Sequence, residues 1–311
     1  MKEFKTIPEQ REILRNRGMV IPHDQEHILE FDNYYIVING YKDLFLQNVK
    51  PERFIHGTSL AEVFRVSEFD RELRMFLFRW IMVVEQRLKT VISHSASGYY
   101  KADSEFYLKT SSYDCDKKSA RTVDNTIKHL RTQYNRQHPS LYHYRSVHGC
   151  IPFWVLVNWI TFGEISHFYS SIQPRGIRES IVKKLKAGLP RPQRKLTVER
   201  LSTYMRLLGD FRNVCAHHER CYSFRHRSII LDGDHKACIV DILQIISVFL
   251  TEKERYAFVQ DFRTVLIGIA GRQDVRKESV EQIMIRMGLP AQLPEHLFEH
   301  ELTAIIQPTT L

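Results

Sequence analysis

FDRELRMFLFRWIMVVEQRLK, residues 69–89 of a 311-residue chain, places Phe69, Leu73, Phe76, Trp80 and Val83 at alternating steps of four and three. That spacing is the helical period and sets these side chains on one face. Upstream, Ser67 and Asp70 form a Ser-x-x-Asp pair that reads as a capping box opening the helix. The pattern runs to about residue 97, and Gly98 suits a stop. Between residues 75 and 84 nearly every face is apolar, so this helix is expected at the centre of a bundle.

Working outward, helical spacing recurs. Residues 116–137 carry Val123, Ile127, Leu130 and Tyr134 as a buried stripe. A third helix opens at Pro152, breaks at Gly163 and resumes through Ile165, Phe168 and Ile172. A fourth begins near Thr197, with Leu201, Tyr204, Leu208, Phe211 and Cys215 facing inward. Residues 24–46 supply one or two short helices, and 236–268 a helical hairpin with Thr251 and Glu254 as a capping box. The segment 279–287 stops at Gly288. A short hairpin around 228–234 is the only strand signal. The fold class is therefore all-α, and we expect three parts: an N-terminal segment (1–50), a helical core (51–231) and a C-terminal helical extension (232–311).

Composition limits the function classes. With 45 Lys+Arg against 36 Asp+Glu, the net charge of +9 admits a polyanionic partner without naming it. Hydrophobic residues at 43% exclude a wholly disordered chain. The longest apolar run, 151–162, is short of the roughly 20 residues that span a bilayer. The charged N-terminus lacks the apolar core of a signal peptide. Five Cys, an odd and sparse set, do not read as a disulfide framework. A cytoplasmic protein with no membrane partner is the expectation.

Chemistry concentrates in FRNVCAHHER, residues 211–220. Asn213 and His217 are four apart and share a helical face, with Arg212 beside them. An imidazole can shuttle a proton near neutral pH. A guanidinium can hold the non-bridging oxygens of a phosphate. The trio suits phosphodiester chemistry, and His218 also fits the spacing, so counting leaves the register open. A helix end held by Asn and His side chains capping carbonyls is the bland alternative. Cys215, His217, His218 and Cys221 could also be read as metal ligands, but they lack the paired Cys-x2-Cys spacing of structural zinc sites, so neither metal nor cofactor is expected.

This string resembles the Abi-like abortive-infection family (AbiD/AbiF type) of the HEPN superfamily of helical ribonucleases. It does so together with IPFWVLVNWITFGEIS (151–166), NYYIVINGYKDLF (33–45), FIHGTSLAEVF (54–64) and 69–89. The likeness covers about 18–225. It implies a HEPN-like bundle with Arg212, Asn213 and His217 or His218 as catalytic residues. It implies metal-independent RNA cleavage, in which a 2′-OH attacks the adjacent phosphate and leaves a 2′,3′-cyclic phosphate. It further implies RNA as substrate, a homodimer with a composite active site, and restraint by a small non-coding RNA or a protein repressor. A HEPN module that binds RNA or a partner without cutting remains the alternative.

Other residues keep two readings each. Glu85 lies among Ile81, Leu88 and Ile92 on an apolar face and needs a partner. Either a nearby Arg79 or Arg87 meets it, or it orients Arg212 or His217. Arg175, Lys183, Lys184, Lys186, Arg191, Arg194 and Lys195 form either a phosphate-contacting surface or a solvated connection; 183–195 reads as a basic, Pro-rich surface link. Phe153, Trp154 and Trp159 could stack bases or fill the core. His138, His143, His148 and Cys150 read as a solvated loop.

Overall fold

The computed structural model describes residues 3–116, 119–188, 196–231, 235–291 and 299–306. It is an all-α bundle built around one long helix, α3. Ahead of it come α1 (Ile7–Asn16), the short α2 (Ile28–Phe31) and a π-helical turn at Tyr35–Asn39. A two-stranded antiparallel ribbon follows, β1 (Leu46–Val49) and β2 (Glu52–Phe54), which the sequence reading did not anticipate.

α3 spans Leu60–Tyr99 and opens earlier than expected. Ser59, not Ser67, is its cap, accepting the amide of Glu62 at 3.1 Å. Ser67 instead donates to the carbonyl of Phe64 within the helix, and Asp70 is wholly buried. The reason is that Leu60, Val63 and Val66, all fully buried, extend the apolar stripe two turns upstream. Capping follows the place where burial begins.

After α3 come α4 (Ala120–Tyr134), α5 (Pro139–His148), α6 (Phe153–Leu156) and α7 (Phe162–Ser171). The break before α7 falls at Ile160 and Thr161 rather than at Gly163. Thr161 and Glu164 form a reciprocal capping box there, and Gly163 lies inside the new first turn. His138, His143 and His148 lie not in a loop but at the cap and along α5. Pro139 sits at its first position, and Gly149 at φ 72° ends it.

α8 (Arg175–Gly188) and α9 (Val198–Ala216) pack on α3 and on each other. The expected link at 183–195 is thus helical through Gly188, because Ile177, Ile181, Val182 and Leu185 repeat at helical spacing and are buried. α9 starts at the Thr197 cap, with Leu201, Tyr204, Leu208, Phe211 and Cys215 buried as expected.

C-terminally, α10 (Ile239–Val248) and α11 (Glu252–Ala270) form the expected hairpin, with a capping box at Thr251 and Glu254. Phe258 and Phe262 stack on Phe76 of α3, and Trp80 donates to Asp261 at 3.1 Å. α12 (Lys277–Met287) ends at Gly288, φ 90°, and α13 (Glu299–Ile306) packs on α10 and α11. Of the expected hairpin at 228–234, an isolated bridge joins Ile230 to Lys236, and 232–234 lie outside the described residues. No described helix is long and apolar enough to cross a membrane.

Candidate functional site

Arg212 and Asn213 occupy the last turn of α9, and His217 caps it, its amide donating to the Asn213 carbonyl at 2.9 Å. Asn213 and His217 are both exposed, one turn apart. His218 follows in the left-handed region at φ 57°, the one described non-glycine residue with positive φ. That conformation costs an L-residue about 1 kcal/mol and usually falls to Gly at a helix end.

Chain exit from this turn is fixed by α3. The Asp70 carboxylate accepts the amides of Cys221 (3.0 Å) and Tyr222 (2.7 Å), the Tyr41 hydroxyl (2.8 Å) and the Arg74 guanidinium (2.6 Å). Arg74 also donates to the carbonyl of Glu219 at 3.2 Å. Burial pushes the Asp70 carboxyl above the usual carboxylate range, while the two amides and Arg74 pull against it. The same burial, with Tyr41 beside Asp70, raises the Tyr41 phenol far above its ordinary value. Arg220 adds a tie to the Gly40 carbonyl and Asp43. His217 and His218 are therefore held in a turn clamped on both sides. Asp70 is therefore not the cap expected from sequence but the hub of this network, whose one local sign is a carboxylate and a guanidinium four apart on an apolar helix face.

Arg212 lies over the ring of Phe78 at 5.3 Å, and its Nε is buried with no hydrogen-bond partner. No carboxylate or carbonyl pairs with its guanidinium among the described residues. Asn213, His217 and His218 likewise make no side-chain hydrogen bond among the described residues. Among the described residues, neither Asn213 nor His217 caps a carbonyl with its side chain.

Glu85 pairs with Lys89 at 2.6 Å, and Lys89 also donates to the Ile160 carbonyl at 2.6 Å. It meets neither Arg212 nor His217. The two nearby arginines expected for it are engaged elsewhere, Arg79 with Asp261 and Arg87 with Glu254. An intrahelical Lys four residues on is the closer cation.

Among the basic residues, Arg175 is tied to Glu179 and Glu199. Lys183 and Lys184 are exposed on α8 without an ion-pair partner among the described residues, and Lys186 is partly buried. Arg191, Arg194 and Lys195 lie outside the described residues. Phe153 is core, whereas Trp154 is 51% exposed and Trp159 packs against His138.

Cys215, His217, His218 and Cys221 do not converge as metal ligands. Among the described residues the convergent group is His235, Cys238 and Asp241, with donor atoms within 4.8 Å of one another. Asp241 there accepts the Cys238 amide at 2.7 Å, as the third-position partner in a capping box whose cap residue is Cys238.

A model of the Abi-like protein family matches residues 27–223, from α2 through the Asp70-bound turn. The chain belongs to the Abi-like protein family. The Abi-like match ends one residue past Tyr222, at the close of the clamp, and leaves α10 to α13 outside. Membership supports a role in abortive-infection defence against phage. No curated protein and no solved structure matches this Abi-like chain.

Proposed function

We propose that this protein is a metal-independent endoribonuclease of abortive infection, acting through Arg212, Asn213 and His217, with His218 alongside. The observation that carries this reading is that Arg212, Asn213, His217 and His218 stand in and just after the last turn of α9, where the chain exit is tied to α3, and make no side-chain hydrogen bond or ion pair among the described residues. The Nε of Arg212 is buried without a hydrogen-bond partner, a state it shares with the Nε of Arg11, Arg178 and Arg263; what Arg212 adds is its place in the motif turn. A guanidinium stacked on Phe78 and free of carboxylates is ready for a phosphate.

In the reaction, the RNA 2′-OH gives its proton to an imidazole as its oxygen bonds to phosphorus. The phosphorus–O5′ bond breaks, and O5′ takes up a proton. Arg212 holds the non-bridging oxygens as charge builds there, and Asn213 orients the imidazole or a phosphate oxygen. Two proton transfers are needed, and a second copy of the motif supplies the other proton-transfer group. On α3, Met75 and Met82 are 61% and 43% exposed and flank Phe78 at helical spacing. This apolar stripe beside Arg212 suits a homodimer with a composite site. Lys183 and Lys184 are available to phosphates further along the RNA.

The test is cleavage of RNA in EDTA with end-group assignment. Wild-type protein should leave 2′,3′-cyclic phosphate and 5′-OH ends, and His217→Ala should not cut. Intact RNA at high wild-type concentration would overturn the reading. Salt-sensitive RNA binding indifferent to His217→Ala would favour a non-catalytic module.

A further inference from the structure

A groove of about 310 Å³, lined by both polar side chains and apolar surface that includes Met205, runs between α7 and α9 and ends at Asn213. One wall is Gly163, Ser166, His167 and Ser170; the other runs from Ser202 through Arg206 and Asp210 to Asn213. The helices come close at Gly163 and Gly209, where a Cβ on Gly209 would stand 4.0 Å from the Gly163 nitrogen. Small residues at this crossing put the groove floor at backbone level.

Its chemistry is sorted by position. Arg206, Asp210, Asn213 and His217 follow one another at steps of four, three and four, so they share one face of α9. Arg206 is exposed and has no ion-pair partner among the described residues. Ser170 and Thr203 donate their hydroxyl hydrogens to the carbonyls of Ser166 (2.8 Å) and Glu199 (3.1 Å), leaving oxygen lone pairs as acceptors. Asp210 adds a carboxylate, with His226 3.2 Å from one of its oxygens. A cation midway along the α9 wall, without an ion-pair partner among the described residues, and acceptors around it match a nucleotide, whose phosphate needs donors and whose base carries N–H groups.

We propose that this groove is the binding subsite for the single-stranded RNA nucleotide flanking the cleaved bond. Arg206 holds its phosphate, and Asp210 accepts from a base amino group. The proposal rests on the ribonuclease reading above for the word cleaved, but the binding it describes is measurable without cleavage.

The probe is a fluorescent RNA oligonucleotide carrying 2′-O-methyl groups throughout, which cannot be cut by 2′-OH attack. Arg206→Ala should weaken its binding about tenfold and reduce the slope of log affinity against log salt by about 0.7, the contribution of one single-strand phosphate contact. Thr203→Phe changes no charge and fills the groove, and should weaken binding comparably. Ser170→Phe, on the opposite wall at an exposed position, repeats that test if Thr203→Phe fails to fold. Wild-type affinity and salt slope in Arg206→Ala together with unimpaired binding in a filled groove would overturn the proposal. The two readings separate cleanly. Weakened binding in these variants with no cleavage by wild-type protein keeps the groove and removes the ribonuclease. Normal cleavage and binding in the variants does the reverse.

Discussion

Arg212 rests on the face of Phe78, 5.3 Å from the guanidinium carbon to the ring centroid, and its guanidinium makes no hydrogen bond or ion pair among the described residues. A residue held only by a ring contributes little to folding. Such a contact is worth about 0.5–1 kcal/mol at a partly exposed position. Arg212→Lys should therefore shift unfolding in urea by less than about 1 kcal/mol while lowering RNA cleavage about a hundredfold, since Lys keeps the charge but loses the planar fork. Equal losses in stability and activity would assign Arg212 to the fold.

His218 provides a second separation of fold from function. Its φ of 57° strains an L-residue. His218→Gly should raise stability by about 1 kcal/mol. If the imidazole takes part in proton transfer, cleavage falls in the same variant; a more stable and equally active protein would leave His217 alone in that role.

Breaking the clamp should act in the opposite sense. Asp70→Asn leaves the Arg74 cation buried without its counter-ion and turns one acceptor into a donor facing donors. Unfolding in urea should show a loss of about 3 kcal/mol. Cleavage should fall below what the remaining folded fraction accounts for, because residues 219–222 lose their anchor.

The Glu85–Lys89 pair is buried on both sides. Lys89→Met alone should cost about 3 kcal/mol by leaving the carboxylate unpaired, and the double variant Glu85→Leu/Lys89→Met should recover most of that loss. A cycle of the four proteins in urea measures the coupling. Activity unchanged in the double variant would confine this pair to packing.

Cysteine labelling reports the same architecture. Burial pushes the Cys221 thiol well above its ordinary value, so it stays protonated and inaccessible at neutral pH. Cys115 is exposed. Brief alkylation of native protein, read by peptide mass spectrometry, should modify Cys115 and spare Cys221; early loss of Cys221 would mean that the clamp opens.

How much of this was legible in the residues follows from what is local. Helical periodicity gave α3, α9 and the α10–α11 hairpin because each buries a stripe along its own sequence. The start of α3 is ambiguous in sequence because Ser59/Glu62 and Ser67/Asp70 carry equivalent capping patterns, and only the burial of Leu60 and Val63 chooses between them. Arg212, Asn213 and His217 were visible as neighbours on one helix. Their lack of partners was not, since it depends on which side chains α3 and α7 bring near. The Asp70 clamp joins residues some 150 positions apart, and no short-range pattern announces such a pairing. Glu85 and Lys89, by contrast, were four apart in plain view.

α3 also acts as a shaft on which angular phase is set. Forty residues of helix extend roughly 60 Å. Along it sit Asp70 for the motif's exit, Phe76 and Trp80 for the C-terminal hairpin, Phe78 for Arg212, and Lys89 for the segment before α7. Each addresses a different neighbour at a different bearing. One residue inserted between Arg74 and Phe78 would rotate every later bearing by about 100° against the earlier ones. The clamp and the guanidinium would then point to different places, so sequence length within this helix is as constrained as the identity of any residue in the site.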